Sequence, residues 1–192
     1  MTAAPLSKTK RAILDAALEL SAGGGISGTT MDDVAERAGV AKGSLYYNFS
    51  SKDQLFEALL DDGLGALSAS LHEAKGERTG VVALRALVEA TLDRIRANQA
   101  MSKLLVAELF RTDRVWRESL DKVRSEAIGI FAEALRETGT VTEPAASIMA
   151  SAVFGAVLVA GLEWVVFDPR RSRDDTVDAV LGVFSGAFAV DR

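Results

Sequence analysis

The sequence contains no cysteine and a single histidine, His72, and these absences exclude several kinds of reactive centre. Without cysteine there is no disulfide, no thiolate metal site and no cysteine nucleophile, which fits a cytoplasmic protein. One histidine cannot build a multi-histidine metal centre or a two-histidine proton relay. We therefore expect no catalytic residue, no bound metal and no cofactor, and we expect His72 to lie on a helix surface.

Proline is also scarce, with 3 in 192 residues, and alternating strand-like patterns are few. Apolar residues instead recur at helical spacing along nearly the whole chain, which predicts an all-α fold of about nine helices. The first helix is expected at about 7–22, ended by the glycines at 23–25. Residues 1–6 have no long apolar run and do not resemble a signal peptide. We assign residues 1–50 to one domain and 51–192 to a second.

Positive charge is concentrated at the start of the chain, although the net charge is −5. Residues 1–52 carry six basic and five acidic residues, whereas the remaining 140 carry 16 basic and 22 acidic ones. A small DNA-binding module attached to a larger acidic body would produce this division. Within the module, Lys8, Lys10 and Arg11 form either a DNA-binding arm or an ordinary soluble tail.

Two short helices separated by a glycine are predicted next. The first, at about 30–38, begins with a capping box formed by Thr30 and Asp33. Gly39 supplies the turn, and the second helix spans about 42–48. Two helices joined by such a turn are typical of a helix-turn-helix.

The second short helix has an unusual outward face. Leu45 and Phe49 are four residues apart and face inward, whereas Gly43, Tyr46 and Tyr47 share the opposite face. Two exposed tyrosines are hard to explain unless a partner covers them. Gly43 costs about 1 kcal/mol of helix stability relative to alanine, so a close approach of a partner to the backbone would explain its presence.

The run from Thr29 to Leu59 resembles the DNA-binding signature of the TetR/AcrR family of transcriptional regulators. It contains a Thr-Thr pair, an Ala-Gly-Val turn, Gly-Ser-Leu-Tyr-Tyr, a phenylalanine and Ser-Lys-Asp-Gln-Leu, in that order. Ser21 and Ile26 differ from the aromatic residues common in the family, and Asn48 stands where histidine is frequent. The resemblance implies an N-terminal three-helix DNA-binding domain, a C-terminal helical ligand-binding and dimerisation domain, and a sequence-specific repressor.

The resemblance also implies which residues contact double-stranded operator DNA. Those facing base edges in the major groove are Ala41, Lys42, Gly43 and Ser44. Those holding phosphates are Thr29 or Thr30, with Tyr46, Tyr47, Asn48 and Lys52. Hydroxyl and ammonium donors suit phosphate oxygens, and the start of a recognition helix is the part that reaches base edges.

Residues 148–167 form an almost wholly apolar segment whose one charge is Glu163. Its length would also suit a membrane span, but Glu163 lies inside it, no strongly basic segment precedes it, and an amphipathic helix follows. We expect no membrane and a helix buried on all sides. With Val177–Phe188 it would form a homodimer seam over residues 148–190, and a two-fold dimer matches a palindromic operator.

The helices between about 55 and 165 are rich in large apolar residues, which form either ordinary core or the lining of a cavity for a small apolar effector. The residues assigned to that pocket are Leu67, Leu71, Leu87, Leu105, Glu108, Leu109, Phe110, Trp116, Phe154 and Leu158. Glu108 is either an exposed helix charge or a polar anchor, with Asn98 and Glu163 as other polar candidates. A fully packed core without an effector is the alternative.

Two other classes of function stay open. One is an enzyme on a helical body, although the chain lacks cysteine and a glycine-rich phosphate loop and has one histidine. The other is an adaptor with a vestigial DNA-binding module. A gel-shift with the DNA flanking the chain's own gene separates them, because only the regulator would produce a shift.

Overall fold

The computed structural model describes residues 6–108 and 116–188, apart from the side chains of residues 119, 123, 187 and 188. Within these ranges the chain forms nine α-helices and no strand, which confirms the all-α prediction. The helices are α1 (Lys8–Gly28), α2 (Met31–Ala38), α3 (Lys42–Asn48), α4 (Lys52–Lys75), α5 (Gly80–Ala97), α6 (Gln99–Glu108), α7 (Arg117–Arg136), α8 (Ala145–Phe167) and α9 (Arg173–Phe188).

The main part of α1 ends at a bend in the glycines of residues 23–25, close to the predicted end near residue 22. Gly25 has a φ of +70°, and helical backbone resumes after it as far as Gly28. Ile26, just past the bend, is buried, and the Thr29 hydroxyl donates to the Gly25 carbonyl at 3.1 Å. Burial of Ile26 stabilises the continued helix, which pattern alone did not indicate.

The chain divides into two compact units, and the first comprises the described residues of Met1–Gly63 and Lys103–Leu120. In this unit α1 packs on α2, and α2 on α3. Its core includes Phe56 and Trp116, whose ring centroids are 6.5 Å apart. This unit includes residues beyond the predicted domain boundary after residue 50. We keep residues 1–50 as a proposal for the part of the chain that binds DNA.

The second unit comprises Leu64–Ser102 and the described residues of Asp121–Arg192. Here α5, α8 and α9 pack on one another. Gly161 of α8 lies so close to α5 that an added Cβ would be 2.6 Å from Ile95 Cδ1 and 2.9 Å from Leu92 Cδ2. Trp164 is buried, and its ring N–H donates to the Arg171 carbonyl at 2.7 Å.

In the single chain one side of α8 is exposed, whereas the predicted burial on all sides includes a second copy across the dimer seam. One side packs in the core, but Ile148, Val159, Val166 and Phe167 are exposed. In the described part of the chain, α8 is also the one helix long and apolar enough to cross a membrane by length and composition. The inner side of α8 packs against α5 and α9. The exposure of so many apolar residues on its other side therefore needs an explanation.

Candidate DNA-binding site

The first helix of the helix-turn-helix begins and ends as its sequence predicts. The Thr30 hydroxyl accepts a hydrogen bond from Asp33 N, and the Asp33 carboxylate accepts one from Thr30 N, both at 3.2 Å. At the other end Gly39 adopts the left-handed conformation, with φ +67°, and its N–H bonds the carbonyls of α2's last turn. This turn sets the direction in which α3 leaves α2.

The second helix, α3, presents the outward face predicted from its spacing. Leu45 and Phe49 are buried, whereas Tyr46 and Tyr47 are 48% and 91% exposed. A Cβ added at Gly43 would meet no atom within 4 Å. Nothing inside the chain therefore requires glycine at this position, and the whole face is open to a partner.

Lys42, at the start of α3, is paired with an acid of α2. Its ammonium donates to the Asp32 carboxylate at 2.6 Å, although the two side chains are 66% and 58% exposed. This hydrogen bond raises the pKa of Lys42. Lys42 therefore stays protonated, but in the free protein one of its three donors is already in use.

The two adjacent threonines have different surroundings. Thr29 is 4% exposed, and its hydroxyl is used in the bond to Gly25. Thr30 is exposed, and its hydroxyl donates to Asp33 at 2.6 Å. Of the two alternatives, Thr30 is the one accessible to a phosphate, and the assignment of Thr29 is not supported by its burial.

Asn48 and Lys52 already bond backbone carbonyls within the chain. The Asn48 amide donates to the Ser44 carbonyl at 2.8 Å, and the Lys52 ammonium donates to the Ser27 carbonyl at 3.1 Å. Lys52 is the first residue of α4, whose start is capped by the Ser51 hydroxyl. Both side chains lie near the recognition helix. To hold a phosphate, each must give up its hydrogen bond to the backbone carbonyl or donate to the carbonyl and the phosphate together.

The N-terminal basic residues lie on a helix and not in an extended tail, because α1 begins at Lys8. Lys10 places its ammonium 5.7 Å from the centre of the Phe49 ring. Arg11 makes two hydrogen bonds to Asp62, at 2.7 and 3.2 Å. The soluble tail is therefore wrong, whereas contact of these residues with DNA stays a prediction. The partners Phe49 and Asp62 lie too far along the sequence for local pattern to indicate them.

Comparison with known proteins agrees with this geometry. The family model for bacterial regulatory proteins of the tetR family matches residues 13–59, from α1 into α4. TtgW of Pseudomonas putida, an uncharacterized HTH-type transcriptional regulator, is 32% identical over 108 residues, which are 55% of this chain and 78% of TtgW. The chain belongs to the TetR family. It is accordingly a DNA-binding transcriptional regulator.

Solved structures of TetR-type regulators extend the likeness over the whole chain. A Clostridium perfringens regulator assigned to fatty acid metabolism has a TM-score of 0.80 and 26% identity, covering 94% of this chain and 100% of that one. FadR of Bacillus subtilis, solved in complex with stearoyl-CoA, has a TM-score of 0.77 and 20% identity, covering 92% and 98%. At 20% identity, the similarity to FadR is a similarity of fold alone.

The residues assigned to an effector pocket of this TetR-family chain are mostly interior. In the second unit Leu71, Leu87 and Phe154 are buried, with Leu67 and Leu158 partly buried against the same core. In the first unit Trp116 is buried and Leu105 partly so, while Leu109 and Phe110 lie outside the described residues.

Of the polar candidates, Glu108 is buried, so the alternative of an exposed helix charge is wrong. Asn98 caps α6, because its side-chain oxygen accepts from Met101 N at 3.0 Å. Glu163 is exposed on α8 and is not an interior group. Only Glu108 therefore retains the character of an interior polar anchor.

The second unit also contains a surface groove that sequence reasoning missed. It has a volume of about 310 Å³ and runs between α7 and α8, with Arg124, Arg136 and Ser147 among its lining. The Arg136 guanidinium is already paired with Glu143 at 2.6 Å. None of the assigned effector residues lines this groove.

His72 lies on α4 and is exposed, as predicted.

Proposed function

We propose that this TetR-family regulator is a cytoplasmic, homodimeric repressor. It binds a palindromic operator through α3 and leaves it when a small, largely apolar molecule binds. The observation that carries the proposal is the open face of α3, where Lys42, Gly43, Tyr46 and Tyr47 are exposed together. An exposed tyrosine pair beside a glycine with free space is explained by a partner that lies against the backbone.

Within this proposal the residues divide by what they can reach. Ala41, Lys42, Gly43 and Ser44, at the start of α3, face base edges. Thr30, Tyr46, Tyr47, Asn48 and Lys52 hold phosphates and so fix the register of the protein on the duplex. Thr29 is left out because its side chain is buried.

The DNA-binding proposal predicts a defined effect of Lys52→Ala. Selection from a randomised 30-base-pair library should first enrich a palindrome, which then serves as the operator probe. Lys52→Ala should weaken binding to this duplex and to a scrambled one alike, and reduce the slope of log K against log salt by about 0.9, because one phosphate contact is lost. Fluorescence anisotropy at several salt concentrations measures both quantities.

Lys103→Ala is the matched control, since Lys103 is an exposed lysine of α6, outside the helix-turn-helix. It should leave the slope unchanged. A library that yields no enriched sequence, or binding by the wild type that does not depend on salt, would contradict the DNA-binding role assigned to this surface.

Support for a homodimer comes from the exposed side of α8 and α9. On α8, Ile148, Ala152, Gly155 and Val159 follow one another at helical spacing and are exposed or partly exposed. On α9 the exposed residues include Ala179, Gly182, Val183 and Gly186. Small residues allow the backbones of two copies to approach closely, and the apolar ones favour burial. A two-fold axis through this seam pairs each copy with its own surface.

Support for an apolar effector comes from the helices that follow the recognition helix. Leu67 and Leu158 are apolar and only partly buried against the core, so they can contact a molecule that enters there. FadR, which shares the fold, was solved with stearoyl-CoA, a ligand with a long apolar chain. The ligand must bind more tightly to a form of the protein that binds DNA poorly. A ligand with equal affinity for the two forms would leave their populations unchanged.

We expect stearate and stearoyl-CoA, which carry a long apolar chain, to raise the melting temperature and to weaken operator binding. The expected coupling is about 1–3 kcal/mol, or roughly 5- to 150-fold in affinity. Decanoyl-CoA and stearoyl-CoA are compared with free stearate and with coenzyme A alone, which lacks the apolar chain. Compounds that raise the melting temperature without changing operator affinity would refute the coupling, and activity of coenzyme A alone would refute the apolar requirement.

A further inference from the structure

The ion pair between Asp32 and Lys42 joins the two helices of the DNA-binding module without being needed to hold them together. Asp32 lies in the first turn of α2, and Lys42 is the first residue of α3. Exposed pairs of this kind contribute little to stability. The two helices are already anchored by Val34 and Leu45, which are fully buried. The pair therefore calls for an explanation other than folding.

Asp32 is the acid of α2 that contacts the recognition helix. Asp33 completes the capping box, and Arg37 pairs with Glu19 in α1. In a helix-turn-helix the first helix crosses the DNA backbone, so an exposed carboxylate on it is repelled by phosphates. A negative charge that opposes DNA binding yet touches the first residue of the recognition helix must act through that residue.

Resting on the proposed function, we propose that Asp32 is a positioning residue that makes Lys42 a reader of bases and not a phosphate contact. Lysine is a compact charge with three donors. The carboxylate occupies one donor and neutralises the charge, which removes most of the attraction to phosphate. Two donors remain, and the major-groove edge of guanine presents two acceptors, O6 and N7. The pair thus favours guanine at one position and limits binding to DNA of other sequences.

Asp32→Asn tests this inference, because it removes the charge and keeps the size of the side chain. Glu36→Gln is the matched control, since Glu36 is another exposed acid of α2. Affinities are measured for the palindrome selected by the wild type and for a scrambled duplex of the same composition. Asp32→Asn should strengthen binding to the scrambled duplex and make its salt slope steeper by about 0.9. The ratio of selected to scrambled affinity should fall by about two- to fivefold, and the control should leave that ratio unchanged.

Two further measurements address the contact itself. In a Lys42→Ala background, Asp32→Asn should change the slope and the ratio far less, because only the direct repulsion between Asp32 and phosphate is then removed. NMR titration of the Lys42 side chain without DNA should show a lower pKa in Asp32→Asn and no change in Glu36→Gln. Equal effects of the two acid substitutions, an unchanged pKa of Lys42 in Asp32→Asn, or an effect of undiminished size without Lys42 would each overturn the inference. Absence of any enriched sequence would instead refute the proposed function.

Discussion

Val159→Arg is expected to convert the proposed homodimer into a monomer and to reduce operator affinity by at least about 100-fold. Val159 is 70% exposed in the single chain and lies in the middle of the apolar side of α8. A two-fold seam would bury both copies of the new arginine close together, without a partner for either charge. A monomer carries one recognition helix, so it loses the gain in affinity that comes from binding two half-sites at once.

Val82→Arg is the matched control, because Val82 is 66% exposed and lies on α5, away from α8 and α9 in sequence. It introduces the same side chain and should leave the protein dimeric. Light scattering gives the mass of each variant, and anisotropy with the selected palindrome gives the affinity. A wild type that is monomeric at micromolar concentration would contradict both the seam and the palindrome.

Gly161→Val is expected to lower the free energy of unfolding by about 1–2 kcal/mol, within the range for an overpacked core. An added Cβ alone would lie 2.6 Å from Ile95 Cδ1 and 2.9 Å from Leu92 Cδ2, and valine adds two more methyl groups. Ile95 and Leu92 are themselves buried, so they have little room to move. The small gain in helix propensity over glycine does not offset this crowding.

The corresponding control is Gly129→Val in α7, where an added Cβ would meet no atom within 4 Å. We expect its free energy of unfolding to stay within about 0.5 kcal/mol of the wild type, as for most surface substitutions. Urea unfolding followed by circular dichroism, at one fixed protein concentration because dimerisation affects stability, measures both. Equal losses for the two variants would show that Gly161 is not the point of close approach.

Features fixed by local chemistry were predictable from the sequence. The capping box of Thr30 and Asp33, the turn at Gly39 and the outward face of Tyr46 and Tyr47 each depend on residues within a few positions of one another. Helical period and capping preferences are sufficient for such features. The family resemblance rests on the same segment, which is why the DNA-binding role was the firmest expectation.

Features that depend on contacts between distant segments were not predictable. Nothing local indicates that Arg11 bonds Asp62 or that Lys42 bonds Asp32. The short helical segment after Gly25 was also not indicated, because it depends on the burial of Ile26. Hydrophobicity alone also could not show that α8 leaves one apolar side exposed, since a helix apolar all round has no preferred face.

The placement of the aromatic residues gives the protein built-in optical reporters. The chain has two tyrosines and two tryptophans. Tyr46 and Tyr47 both lie on α3, whereas Trp116 is buried in the first compact unit and Trp164 in the second. Tyrosine emission therefore originates solely in the recognition helix. Replacing either tryptophan with phenylalanine leaves one tryptophan, which emits at a longer wavelength than tyrosine, inside one unit. Spectroscopy of the unlabelled protein can thus follow the DNA-facing helix and the interior of each unit as separate signals.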